Sequence, residues 1–207
     1  MARVQVTPET FTLVQFDAGV IAGIAEELAA KAGVPDDVDV RIEVDEELPL
    51  PLTGATSDVV DGAAVLWFAG ANFEDGRHRT NFDGAIARTE LAASLLRAAD
   101  RLSDRFAGAP RDEDLTDGQR QAWEVFAEGR AGRLGEATRR VRRQYHFRLY
   151  NGFTDIADAA FDRLWSADTC TWAELQELCA QCAAADPRPK PKARAAIRKE
   201  TLKATGS

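Results

Sequence analysis

The chain has 207 residues, 45% hydrophobic and 29% charged, a balance that supports one packed domain, or a domain with a helical extension, without metal or disulfide staples. The opening residues Met1-Ala-Arg-Val-Gln-Val-Thr-Pro hold no signal-peptide core. The longest apolar runs, such as 63–71, are too short for a bilayer, so a cytoplasmic protein with no membrane partner is expected. The net charge of −8 is unevenly spread: residues 1–76 carry 15 acids against 3 bases, and residues 77–150 carry 15 bases against 11 acids. Such regions either complement each other within one fold or present a charged face to a partner.

In chain order, residues 16–32 read as a helix. Val20, Ile21, Ile24 and Leu28 recur at helical spacing, and Gly33 with Pro35 ends the run. Residues 38–44 alternate apolar and polar side chains, the period of a strand with one wet face. A Pro-rich connector over 48–54 allows irregular edge structure at most. Residues 63–69 are apolar throughout, which predicts a strand buried on both faces. Residues 70–84 have no apolar period and read as a long loop, and a long helix follows over 85–106. After an acidic break at 108–114, residues 115–185 read as helical, interrupted at 132–135 and at Asn151-Gly152. The last of these helices opens on a capping box, Thr171 with Glu174. The expected fold class is therefore α+β: a small β-sheet with packed helices over 1–107 and a helical half over 115–185 packed on it. Residues 187–207, with alternate prolines and seven bases, read as a basic disordered tail.

Two segments concentrate reactive side chains. The loop gathers Asn72, Glu74, Asp75, Arg77, His78, Arg79, Asn81 and Asp83 after a buried strand, where rigid scaffolds place sites. His78 with Glu74, Asp75 or Asp83 has the makings of an acid/base pair, because a carboxylate fixes the imidazole tautomer. The competing expectation is a solvated loop whose charges satisfy one another. The second segment is Arg139-Arg140-Val-Arg142-Arg143-Gln-Tyr145-His146-Phe-Arg148-Leu-Tyr150. On a helix at about 100° per residue, Val141, Tyr145 and Leu149 form one stripe, expected to face the core. Arg139, Arg142, Arg143, His146 and Tyr150 gather in another arc, suited to a phosphate, a carboxylate or an acidic protein segment. The alternative is a solvated face paired to the acidic N-terminal half.

Cys170, Cys179 and Cys182 include a C-x-x-C spacing. Cys179 sits two turns inside a helix rather than at an N-terminus that would lower its pKa, so buried free thiols are the expectation and a structural zinc site the alternative. No cofactor is expected. A nucleic-acid partner is disfavoured, since no recognised binding motif accompanies the basic run.

The element order over 11–106 resembles the minimal zincin-type metallopeptidase domains of bacteria. It begins with the helix at 16–32 and continues with the strand and acidic turn Val38-Asp-Val-Arg-Ile-Glu-Val-Asp-Glu-Glu-Leu-Pro. A second strand and a long helix follow. The H-E-x-x-H motif of that family falls on Thr89-Glu90-Leu91-Ala92-Ala93, which keeps the glutamate and lacks both histidines. The resemblance implies a scaffold without zinc or an activated water. The function expected is thus a non-enzymatic interaction or scaffold protein that binds an anionic partner through the arginine-rich helix. The alternative is a hydrolase or transferase on an anionic small molecule, with His146 or His78 as acid/base.

Overall fold

A computed structural model of the chain describes residues 2–48, 54–78 and 80–188. Most of the Pro-rich connector, Arg79, and the basic tail from 189 onward lie outside the described residues.

The fold class is α+β. Four strands, β1 (Val4–Thr7), β2 (Val40–Asp45), β3 (Ala55–Val60) and β4 (Ala63–Ala69), form one sheet in the order β1-β2-β4-β3. β1, β2 and β4 are parallel, and β3 closes the far edge antiparallel to β4. The helix α1 (Ala18–Ala32) carries the chain between the parallel strands β1 and β2, and α2 (Gly84–Leu102) follows β4. Neither β1 nor β3 was expected from the pattern. The signal for β3 is the dipeptide Asp61-Gly62, whose φ angles of 52° and 78° are those of the tight primed turns that join twisted strands.

Sequence pattern and burial agree along β2, where Val40, Ile42 and Val44 are buried and Arg41 and Glu43 exposed. They diverge along β4. Ala64, Leu66 and Phe68 are buried, whereas Val65 and Trp67 on the other face are half-buried. The expectation of a strand buried on both faces changes because α1 and α2 pack against each other in the same core as the inward residues of β2 and β4. α1 is capped by Asp17, whose Oδ1 accepts from the Val20 N–H at 3.1 Å. It buries Ile21, Ala25, Leu28 and Ala29 and leaves Val20 exposed.

The helical half comprises α3 (Asp117–Arg133), α4 (Arg140–Asn151), α5 (Asp155–Ser166) and α6 (Trp172–Ala185). α3 is its axis and packs against α2, α4, α5 and α6. Its Ala127 and Ala131 join the core of the sheet half, and its Trp123 and Phe126 join a second core with Phe147, Phe161, Leu164 and Leu175. Where α3 meets α5 only glycine fits: a Cβ on Gly129 would lie 2.2 Å from the Trp165 carbonyl oxygen.

A buried ionic joint couples the halves. Asp112, with no exposed surface, accepts from Arg97 and Arg101 of α2 and from Arg120 of α3, while the Asp112 N–H donates to Asp58 of β3 at 3.0 Å. The guanidiniums of Arg97 and Arg101 lie 5.2 and 4.6 Å from the Trp123 ring centroid.

Candidate functional site

α4 forms an antiparallel hairpin with α5. Its inward line consists of Gln144, Phe147 and Asn151, which recur at three- and four-residue spacing, with Arg140 exposed one turn before them. Phe147 packs on Phe161 with ring centroids 5.9 Å apart. Arg148 clamps Asp158 through two 2.6 Å bonds, and Arg140 reaches Asp162 at 2.6 Å. Arg143 turns toward α3, where its Nε donates to Glu128 at 2.6 Å, its Nη1 donates to Gln121 at 3.2 Å, and it pairs with Glu124. Burial alone would lower the Arg143 pKa, but Glu124 and Glu128 outweigh it and hold the pKa above its ordinary value. Two expectations change as a result. Arg143 belongs to an internal ion-pair network, and Arg140, Arg143 and Arg148 pair with acids of α3 and α5 rather than with the acidic N-terminal half.

The stripe expected to be core is the outer face. Val141 is 83% exposed and Tyr145 55%, and Leu149 and Tyr150 are also exposed. Phe153 and Ile156 continue the surface, with 54% and 48% exposure. Tyr145 and Phe153 touch edge to face with centroids 6.3 Å apart, so the aromatic surface runs across the α4–α5 turn. Arg139 and Arg142 are exposed at the N-terminal end of this face. Beyond Ile156 an open hollow of about 660 Å³ lies between α5 and α6, lined by Ala159, Ala160, Leu178 and Ala184 among others. The pattern rule selects the most apolar stripe as the core. Here that stripe is outside because Phe147 and Asn151 take the buried positions, while the half-buried Arg143 and Arg148 meet carboxylates of α3 and α5 on either side of them.

The polar loop is more ordered than its composition suggests. A 3-10 turn at Gly70–Asn72 leads to Phe73, which is fully buried with Phe16, Phe68 and Phe82 around it. Glu74 is buried as well, in a bridge to Phe82. Asp75 accepts from the Arg77 N–H at 2.8 Å and lies 2.9 Å from His78 Nδ1, and these two contacts, the first foremost, lower its pKa. The His78 side chain is 69% exposed. Asp83 caps α2 by accepting from the N–H groups of Ala85 and Ile86. The functional-looking charges of the loop thus largely serve its own turns.

The loop and the basic helix are linked, but not through His78. Asn72 accepts from the Gly54 N–H at 2.9 Å and donates from Nδ2 to Glu90 Oε2 at 3.0 Å. Glu90 in turn interacts electrostatically with Glu124, Glu128 and Arg143. Burial raises the Glu90 pKa, and Glu128 and Glu124 reinforce the rise against the opposing Asn72 bond and Arg143 charge. His146, half-buried beside this group, has its pKa lowered by burial and by the nearby Arg143 and Arg142 charges. Three carboxylates therefore share the Arg143 guanidinium inside the molecule. Sequence reasoning named Arg143 and Glu90 but missed Glu124 and Glu128, whose i,i+4 spacing on α3 is a readable sign of one shared face.

Comparison with protein-family models, with curated proteins and with solved structures gives no match.

The cysteines occupy the second core. Cys170 and Cys182 are buried and Cys179 half-buried, and burial raises their pKa values to about 11, 11 and 12 respectively. Thiols held in this way pack as small apolar groups. Among the described residues no group of three or more His, Cys, Asp or Glu is placed to hold a metal ion. No helix among them is long and apolar enough to cross a membrane.

Proposed function

We propose that the chain is a non-enzymatic interaction protein that docks a partner on the outer face of α4 and the α4–α5 turn, with Arg139 and Arg142 favouring an acidic partner. The observation that carries this reading is the concentration of exposed apolar side chains between Val141 and Ile156. Elsewhere among the described residues, the large apolar side chains left exposed are Leu13 and Val20. Scattered exposed apolar residues are ordinary, but a stripe in which Val141, Tyr145 and Leu149 run on to Phe153 with flanking arginines has the composition of an interface core and rim.

The enzymatic alternative requires the polar loop and the basic helix to line one concavity. The α5–α6 hollow and a smaller one beside Arg101 and Phe106 are lined by neither His78, His146 nor Arg143. In the same proposal, residues 11–106 act as a zincin-like scaffold without its chemistry. The support is that Glu90, the retained motif glutamate, is engaged by Asn72 and by the carboxylate–arginine cluster rather than turned to a hollow.

The test is affinity capture with the wild type, Tyr145→Glu, and Arg139→Glu/Arg142→Glu as baits of matched folding. Loss of a wild-type partner with both variants is expected. An unchanged partner set with both would overturn the proposal.

A further inference from the structure

The hollow between α5 and α6 opens where the chain leaves its last helix. The end of α6 lies beside the start of α5: a Cβ on Gly152 would sit 3.4 Å from Asp186, and Ile156 and Ala185 line the same hollow. Arg188 holds the departing chain at this point. It pairs with Asp186, donates to the Leu149 carbonyl at 3.2 Å and places its guanidinium 5.5 Å from the Phe153 ring centroid. The floor of the hollow is largely alanine with Leu178, and from Ile156 to Arg163 it runs about 10 Å along α5. Arg163, the base that lines it, faces Glu174 at 3.6 Å. Asp155, next to Ile156, is exposed, as is Glu177, next to Leu178, which accepts from Gln181. Among the described residues neither carboxylate is paired with a cation.

The sequence beyond Arg188 complements these surroundings. Residues 151–186 carry seven acids against one base, and residues 187–207 carry seven bases against one acid. Ala193, Ala196 and Ile197 recur at three- and four-residue spacing among Lys192, Arg194, Arg198 and Lys199, so small apolar side chains are set among cations. The chain from 188 to 193 reaches at most about 17 Å, which exceeds the length of the hollow. The outer α4 face also lies near Arg188, but it exposes Arg139 and Arg142, which repel a basic segment. We infer that residues 193–204 of this chain occupy the α5–α6 hollow, with Ala193, Ala196 and Ile197 toward the alanine floor and the flanking cations toward Asp155 and Glu177. Tethering raises the local concentration of the segment, so a small contact suffices to hold it. The chain thus closes its own hollow and leaves the outer α4 face open.

Tryptic cleavage after Arg194, Arg198 and Lys199, followed by mass spectrometry on the full chain, tests this against a synthetic peptide of residues 189–207. The wild-type segment is expected to be cut about tenfold more slowly than the peptide, because only the undocked fraction is cleaved. Ala159→Arg, which fills the floor and adds a like charge, is expected to restore the peptide's rate. Asp155→Asn/Glu177→Gln is expected to cut the protection to about threefold, as loss of two exposed charge partners should. All three side chains are exposed, and an unchanged Tm verifies folding of each variant. Tyr145→Glu, on the outer α4 face, is expected to leave the protection intact. A wild-type segment cut as fast as the peptide overturns the inference, as does protection that survives both groove variants. Protection lost with Tyr145→Glu also overturns it, by placing the segment on α4. Protection that grows with protein concentration overturns it too, by placing the segment on a second copy. None of these results bears on partner capture through Tyr145, so the two proposals fail separately.

Discussion

Glu90 shows how one side chain couples pattern, packing and pH. Its carboxyl is held among Asn72, Glu124, Glu128 and Arg143, and burial raises its pKa above the ordinary 4.5. A carboxyl raised in this way favours the folded state most when protonated. The contribution is complete below the unfolded value and is lost as pH rises through the folded one. Glu90→Gln keeps an acceptor for Asn72 Nδ2 and removes the charge. The variant is expected to unfold a few degrees above the wild type near pH 8, with the difference vanishing near pH 4. Thermal unfolding followed by circular dichroism at both pH values checks this. A variant less stable than the wild type at the higher pH would show that the charged carboxylate is needed by Arg143.

At the scale of the element, α4 is the informative case. Its twelve residues include four arginines, and its buried face is not its most apolar stripe: Phe147 is 1% exposed while Val141 is 83% exposed. Amphipathic helices bury their apolar stripe when nothing better pairs the polar one. In α4 the partly buried Arg143 and Arg148 find Glu124, Glu128 and Asp158, while Arg140 meets Asp162 at an exposed position. Phe147→Ala is expected to cost about 3–5 kcal/mol, the range for emptying a fully buried aromatic site. Val141→Gln is expected to change stability by less than about 0.5 kcal/mol. Chemical denaturation of the two variants distinguishes this arrangement from the one that hydropathy alone predicts, which reverses the order.

At the scale of the whole molecule, α3 and the Asp112 joint connect the two cores. Three arginines converge on Asp112, two of them over Trp123, while Trp123 Nε1 donates to Asp100 at 2.8 Å and Arg130 holds the same carboxylate. Removing the shared carboxylate leaves buried guanidiniums facing one another. Asp112→Ala is therefore expected to destabilise the chain by about 3–5 kcal/mol, the cost of breaking a buried ion pair from one side. Because the joint bridges β3, α2 and α3, both cores are expected to weaken together, so tryptophan fluorescence and far-ultraviolet circular dichroism should shift by the same denaturant increment. Separate transitions would mean that the sheet half and the helical half fold independently.

Local rules determined much of this protein from sequence alone. The period of β2, the stop of α1 at Gly33 and the Thr171–Glu174 capping box depend on neighbours within a turn or a strand. The Asp61-Gly62 turn of β3 was equally legible in principle. The tertiary structure decided which face of α4 is inside, that Phe73 and Glu74 are buried beneath a loop of polar composition, and that Glu90 and Arg143 share one cluster. These outcomes depend on which side chains meet across ten or more residues of chain, such as Arg143 with Glu128 or Phe73 with Phe16, and hydrophobic periodicity measures only the cost of burying a side chain alone.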